Sequence, residues 1–544
     1  MSTLTLHGGR LGEMYETVTR AFLDKIDPAI HINAYVGENS GGFAETEFAG
    51  KYLDTCVNYA KYLRAVGRIS ESDKALEHAK AVVNSIILNQ RDDGYIGGLS
   101  AGGEANAFSV WNQAFTMLGL VSVAELTGDE AAKNAAVRIA EYNAVIFMSG
   151  KHDISDGGNN GSQHLSILLP LVRLAKISDN QTVKLFAHYI VSKIKASDNN
   201  FFSFDSILDL RSKKGIENFV ILIGILEYGK LYEDPEALPA CEKYWDELKR
   251  TQIRENGNGT RFEVWTENGN SPAMLGLDVR PDENCVAVGW IEFSLALYFE
   301  TNDPKYIDAV EAALYNHLLG ALDEEGTDFA YYQPNFGRRV TKTSESMYKC
   351  CRYRGFSAAS HLPDMAVKAD GDTIRVMVYM NADYDDGEFR LAERSEYPYN
   401  GKVTFGLDFE SGLHRTLILR VPESAKGASV LLDGKELETK HEPGEIRLSV
   451  SADGHHELEV IFDLSPEKRP VTIDGTERIG LTYGPLLLAA NASDGESFDD
   501  IRVDKTAEPI RDADHFGFDL GGVDFTDYAS AGRKTDFVVW AKTK

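Results

Sequence analysis

From about residue 10 to about residue 320, apolar side chains recur three and four positions apart, the period of a helix with one buried face. These stretches are broken by short polar turns: Gly67-Arg68-Ile69-Ser70-Glu71-Ser72-Asp73, Thr127-Gly128-Asp129-Glu130 and Ser178-Asp179-Asn180, then Glu233-Asp234-Pro235-Glu236 and Thr301-Asn302-Asp303-Pro304. Each turn offers Gly or Asn to end one helix, or Asp, Ser or Pro to start the next. The turns return every 50–70 residues or so, which signals stacked helical hairpins. Five such hairpins, with one more at an end of the region, predict a closed (α/α)6 barrel of about six pairs; an open solenoid is the second reading. A ring of hairpins gathers its connecting loops around a central pit, and loops on a rigid scaffold are where binding chemistry gathers.

Beyond residue 365 the period shortens to two. Thr373 to Tyr379, Gly401 to Phe409, Arg415 to Val421, Ser429 to Leu432, Glu445 to Val450 and Glu457 to Leu464 read as strands. Asp433-Gly434 and Glu442-Pro443-Gly444 punctuate them as turns. Ile479 to Ala490 continues the pattern, and Thr535 to Ala541 reads as a strand returning to the sheet. The expected organisation is therefore a multidomain α and β chain, an (α/α)6 barrel over 1–362 followed by a β-sandwich region over 363–544. The Asp- and Gly-rich segment 491–531 has no assigned place.

Length and charge narrow the partners. At 544 residues and 43% hydrophobic content the chain can bury a large core. It holds no run of about 18 apolar residues, so no membrane span is expected. Met1 to His7 lacks the charged and apolar regions of a signal peptide, which predicts a cytoplasmic protein with reduced thiols. A net charge of −28 repels phosphate backbones and anionic lipids, arguing against nucleic acid and membrane partners and leaving neutral substrates open. A homodimer is the default assembly.

Three of the five cysteines fall in two short segments, Asp282-Glu283-Asn284-Cys285 and Cys350-Cys351. Adjacent cysteines form a disulfide only through a strained ring. Three thiolates with one carboxylate make a tetrahedral donor set for Zn²⁺. The other reading is that these cysteines, like Cys56 and Cys241, are small core residues. Cys285 precedes an apolar run from Val286 to Phe299, where a helix N-terminus would lower its pKa. Trp111, Trp265, Trp290, Tyr331, Tyr332 and Tyr348 are candidate aromatics for a sugar-binding pit, with barrel core as their alternative role.

Glu267 in Trp265-Thr266-Glu267-Asn268, then Glu283-Asn284-Cys285, then Cys350-Cys351, follow one another in the order of glycoside hydrolase family 127, which the chain resembles. The similarity extends to Asp93-Gly94-Tyr95-Ile96-Gly97, Tyr397-Pro398-Tyr399-Asn400-Gly401, Leu419-Arg420-Val421-Pro422 and Tyr483-Gly484-Pro485-Leu486, and so spans most of the chain. That family contains β-L-arabinofuranosidases built as an (α/α)6 barrel with a trailing β-sandwich. The resemblance implies Zn²⁺ held by Glu283, Cys285, Cys350 and Cys351, with Cys350 as nucleophile and Glu267 as general acid/base. It implies a retaining hydrolysis of a β-L-arabinofuranoside or related furanoside through a thioglycosyl intermediate. Tyr331, Tyr348, His164 and Trp265 are the candidates for sugar contact. The chain departs from the family after the cysteine pair, where Arg352-Tyr353-Arg354 replaces the common Pro and Asn.

Other readings predict different behaviour. Glu267 could be an ordinary exposed carboxylate and Glu283 a neighbour of a helix cap. A different glycoside could be hydrolysed by Glu267 and a second carboxylate beside a structural zinc. A non-hydrolytic sugar-binding protein would bind glycan and release no sugar. A helical-barrel epimerase would want paired histidines, which the sequence does not show.

Overall fold

The computed structural model describes residues 2–36, 45–97, 105–272, 281–339 and 349–544, apart from 411, 439, 443, 452 and 453. Twelve of its described helices build a ring of paired helices, with one of them continuing into a π-helical turn. They are α1 (Gly9–Lys25), α2 (Glu45–Ala65), α3 (Ile69–Asn89), α4 (Ala107–Thr127), α5 (Glu130–Met148) and α6 (Leu168–Ile177). Then come α7 (Gln181–Ala196), α8 (Gly215–Tyr232), α9 (Ala237–Thr251), α10 (Asn284–Thr301), α11 (Lys305–Ala312) and the twelfth, α12 (Lys349–Ser360), which closes the ring.

The five sequence-predicted turns are the hairpin connections. Gly128 and Asn302 end their helices in the left-handed conformation, and Asp129 and Asn180 cap the helices that follow through their side chains. Helices α2, α4, α6, α8, α10 and α12 contact one another in sequence, and α12 returns to α2. Helices α8 and α10 bury most of their residues, as helices apolar on nearly all sides do. Partners α3, α5, α7, α9 and α11 lie outside, each exposing its polar stripe. The sixth outer helix is the first in the chain, since α1 packs on α12. The architecture is the expected (α/α)6 barrel followed by a strand-rich region.

Among the described residues that region holds three sheets. A seven-stranded sheet runs through Thr3–Leu6, Ala382–Asp385, Phe389–Ser395, Lys402–Phe409, Gly454–Phe462, Ala428–Leu432 and Lys435–Glu436. Val403, Phe405, Leu407 and Phe409 alternate into its buried face, with Val403 opposite Val460 and Phe405 opposite Leu458. A five-stranded sheet includes Thr373–Val376, His414–Arg420 and Glu445–Ser451. A ten-stranded sheet is built on Thr476–Tyr483 and Leu486–Asn491. The previously unplaced segment 491–531 contributes Arg502–Val503, Ile510–Arg511, Phe518–Asp519 and Asp524–Asp527 to that third sheet. The single strand expected at Thr535 to Ala541 is two short ones, Phe537–Val538 and Ala541–Thr543.

Sheet pairing crosses the expected division at 362/363 twice. The N-terminal strand Thr3–Leu6 pairs antiparallel with Ala382–Asp385, and Phe336–Gly337 pairs with Phe537–Val538. At the end of α11 the helix widens into a π turn, Ala313–Leu318. There Asn316 donates to the Pro485 carbonyl (2.8 Å) and accepts from the Leu487 amide (2.8 Å). No described helix is long and apolar enough to cross a membrane.

Candidate active site

Four inner helices deliver reactive groups from their first two turns: Glu47 and Lys51 on α2, Glu217 on α8, Cys285 on α10, Cys350 and Cys351 on α12. Helix N-termini favour anionic groups, so thiolates and carboxylates suit this end of the barrel. One donor atom from each of Glu283, Cys285, Cys350 and Cys351 lies within 4.8 Å of all the others. Cys351 Sγ is 3.2 Å from Cys285 Sγ, 4.0 Å from Cys350 Sγ and 3.5 Å from Glu283 Oε1. A cation about 2.3 Å from each sulfur in a tetrahedral site spaces the sulfurs about 3.8 Å apart, and these separations straddle that value. All five cysteines are free, so the vicinal pair is not a disulfide.

The donor set fits a divalent metal on a second count. Glu283 is 2% exposed, yet its Oε2 has no hydrogen-bond partner. Burial pushes its carboxyl up to about 8 and drives the Cys285 and Cys351 thiols upward. Such groups hold their protons until a cation replaces them. Cys350 differs: hydrogen bonds from Cys285 and Cys351, aided by the Lys51 ammonium and the Tyr331 hydroxyl, hold its thiol well below the ordinary value.

The ligands are placed by a buried polar frame. Asp282, fully buried at φ +57°, accepts from Arg254, from Asn256 (2.8 Å) and from Asn335 (2.8 Å). Asn258 Nδ2 donates to the Glu283 carbonyl (2.7 Å), and the Asn284 amide donates to the Tyr331 carbonyl (2.8 Å). Asn284 Nδ2 donates to the Cys351 carbonyl (2.9 Å), tying the two cysteine-bearing helices together.

One carboxylate facing this cluster is Glu263. Its loop pairs with the start of α8, Gly215 N–H donating to the Glu263 carbonyl (2.9 Å) and Trp265 N–H to the Lys213 carbonyl (2.9 Å). Glu263 accepts from the Lys214 ammonium and from the hydroxyls of Tyr331 (2.6 Å) and Tyr332. Burial alone would raise its carboxyl, but the Lys214 charge and these hydrogen bonds outweigh it and keep Glu263 below the usual carboxylate value. Tyr331 also contributes to lowering the Cys350 thiol, so one tyrosine is shared by a carboxylate and the activated thiol.

Glu267, the carboxylate singled out by sequence, is not brought to the cluster. It is exposed, in a surface groove with Asp205, Glu247 and Arg250. After buried Trp265 the chain turns outward onto the end of α9: Gln252 Nε2 donates to the Thr266 carbonyl (3.0 Å) and the Asn270 amide to the Thr251 carbonyl (3.1 Å). That turn carries Glu267 away while Glu263, four residues earlier, stays inside. Sequence reasoning missed Glu263 because it lies in an aperiodic loop, with Phe262 and Glu263 both at positive φ.

The other candidates divide. Tyr331 joins the site. Trp265 is a packing anchor, 1% exposed, with Nε1 donating to Asn218 (3.2 Å) and its ring edge-on to Phe219. His164 is a core histidine packed on Phe147 and lowered to about 4 by burial. Tyr348 lies outside the described residues. The departure after the cysteine pair is absorbed by α12. Arg352 pairs with Asp328 (2.9 Å), Tyr353 packs against His31 and Phe48, and Arg354 pairs with Glu292. That last pair lines a cavity of about 400 Å³ further along the bore.

A family profile described as "Beta-L-arabinofuranosidase, GH127 catalytic domain" matches residues 3–364, and one described as "Beta-L-arabinofuranosidase, GH127 middle domain" matches residues 373–464. The chain belongs to glycoside hydrolase family 127. It is therefore a glycoside hydrolase, with a carbohydrate as substrate. Among solved structures, the family 127 β-L-arabinofuranosidase from Geobacillus stearothermophilus T6 is 15% identical, covers 100% of both chains and superposes with a TM-score of 0.78. A family 127 β-arabinofuranosidase is 16% identical over 100% of this chain and 97% of its own, with a TM-score of 0.79. At that identity these structures establish the shared fold. No curated protein sequence matches the chain.

Proposed function

We propose that this hydrolase removes a terminal β-L-arabinofuranosyl residue with retention of configuration, using Cys350 as nucleophile and Glu263, in place of Glu267, as acid/base. The observation that carries the reading is Tyr331, whose hydroxyl donates to Glu263 (2.6 Å) while the same ring stands beside Cys350, so the carboxylate and the thiol belong to one site.

Glu283, Cys285, Cys350 and Cys351 would hold Zn²⁺. When bound, zinc keeps the thiols deprotonated at neutral pH. The Cys350 sulfur attacks the anomeric carbon as the bond to the leaving oxygen breaks, and Glu263 gives that oxygen its proton. Glu263, now ionised, takes a proton from water, whose oxygen displaces Cys350 and releases the sugar. Without substrate, Lys214, Tyr331 and Tyr332 favour the ionised carboxylate needed in this second half, so the first half requires Glu263 to take up a proton as the sugar binds.

Three variants test the assignment on an aryl β-L-arabinofuranoside. Cys350→Ser is expected to lose essentially all turnover. Glu263→Gln is expected to slow it about 10²–10⁴-fold, the usual worth of an acid/base group. Glu267→Gln is expected to match the wild type. Near wild-type turnover by Cys350→Ser would refute the thiolate mechanism; a large loss in Glu267→Gln with activity kept in Glu263→Gln would reverse the carboxylate assignment.

A further inference from the structure

Arg261 and Val264 exchange both of their backbone hydrogen bonds, each 3.2 Å, and so enclose a two-residue turn. Its central residues, Phe262 and Glu263, have φ of +50° and +68°. Positive φ at both central positions marks a type I′ turn, which Asn-Gly and Asp-Gly form with least strain. Here the first central position holds a phenylalanine that is 50% exposed. Burial of a large apolar side chain can offset an awkward backbone, but this ring gains little of it. Among the described residues its ring contact is the Arg261 guanidinium, 5.8 Å from the ring centre. The turn is also pinned where it stands. The Glu263 carbonyl accepts from Gly215 N–H (2.9 Å), and its carboxylate accepts from Lys214, Tyr331 and Tyr332. One tip therefore carries Glu263 into the site and leaves an open aromatic ring on the adjacent residue.

We propose that Phe262 is the platform on which the leaving sugar stacks, so that it sets a preference for substrates whose leaving group is itself a sugar ring. This rests on Glu263 as the acid/base of the reading above. The departing group is bonded to the oxygen that Glu263 protonates, which brings its first ring close to that carboxylate. Phe262 begins one peptide away, about 3.8 Å between α-carbons. Its flat apolar face suits the C–H face of a sugar. A residue that strains its turn and packs on little is thereby explained: the same tip sets acid/base and platform side by side. Phe262 moves no proton and touches no metal; its role is specificity.

A platform and a packing residue respond in opposite ways to replacement. Phe262→Asn supplies a residue the turn prefers and removes the ring. Phe262→Leu keeps the apolar bulk without the flat face, and Phe262→Trp keeps the face. The experiment measures the melting temperature of the full-length protein and its kcat/KM on two substrates. One is a disaccharide with a terminal β-L-arabinofuranosyl residue. The other is methyl β-L-arabinofuranoside, whose leaving group is too small to stack.

Phe262→Asn is expected to melt no lower than the wild type, because it relieves the turn. The preference for the disaccharide over the methyl glycoside is expected to fall about 3–10-fold in Phe262→Asn and Phe262→Leu, the worth of one stacking contact. Phe262→Trp should keep it. An unchanged preference in the Asn and Leu variants, or equal losses on both substrates, overturns the platform while the acid/base reading stands. A clear drop in the melting temperature of Phe262→Asn also overturns it, since the ring would then be a packing element. The acid/base reading fails on a separate result, wild-type turnover of the methyl glycoside by Glu263→Gln, and the platform falls with it.

Discussion

At Asp282 the backbone takes a left-handed conformation that β-carbon-bearing residues avoid, and three side-chain donors hold it there. This turn aims Glu283 and Cys285 at the cysteine pair. Asp282→Ala removes the carboxylate partner of a guanidinium that is itself 5% exposed. Stranding a buried charge of this kind costs about 3–5 kcal/mol. Chemical denaturation is expected to show a loss of that order, and metal analysis a reduced zinc content, although Asp282 touches no metal. Normal stability in this variant would mean that the Gly259, Thr260 and Gly269 carbonyls, to which Arg254 also donates, suffice for its charge.

Among the elements, α2 and α4 approach most closely at reciprocal glycines. A β-carbon on Gly50 would lie 2.2 Å from the Phe115 carbonyl oxygen, and one on Gly119 would lie 2.6 Å from the Gly50 carbonyl oxygen. Both obstacles are backbone, so neither helix can yield by turning a side chain. Gly50→Ala is therefore expected to destabilise by at least the 1–3 kcal/mol or so typical of overpacking, despite the better helix propensity of alanine. Because α2 carries Lys51 one residue away, it should also disturb the buried ion pair of Lys51 with Glu47. Thermal melting of the variant checks the expected loss. The fold thus turns a packing detail into a constraint on the chemistry.

Across the whole molecule, the barrel is locked to the sheets by buried charge. Arg420, on a strand of the five-stranded sheet, donates to Asp308 and Glu311 of α11 and to the Met377 carbonyl (2.7 Å), and Tyr397 adds a bond to Glu311 (2.7 Å). Arg339 reaches from the barrel to the Ala531 carbonyl (2.9 Å) of the third sheet's region. Burial raises Glu311 to about 7 and Glu393, at this junction, to about 8, both from 4.5. A folded state that keeps a proton the unfolded chain has released loses stability as pH rises. The loss begins near 4.5 and is complete above the folded value. Each such group contributes up to about 1.4 kcal/mol per pH unit in that window. Glu393→Gln is expected to flatten the fall of stability between pH 5 and 8, measured by urea denaturation. Parallel curves for variant and wild type would show that Glu393 is already ionised in the folded protein.

Periodicity determined the ring. Helical stripes and their capped turns are local properties, so the five hairpins, the strand-rich second half and the four donor residues Glu283, Cys285, Cys350 and Cys351 were all legible in order along the chain. Three things were not. The closing pair joins the first helix to the last inner one, a contact between opposite ends of the barrel that no local pattern announces. The segment 491–531 became strands only because a sheet edge was available to pair with them. Which of Glu263 and Glu267 faces the pit was the third, since it depends on where an irregular loop is pinned to α8 and α9. Residue type and spacing say which groups can bind a metal or move a proton. Only packing between distant elements brings them within reach of one another.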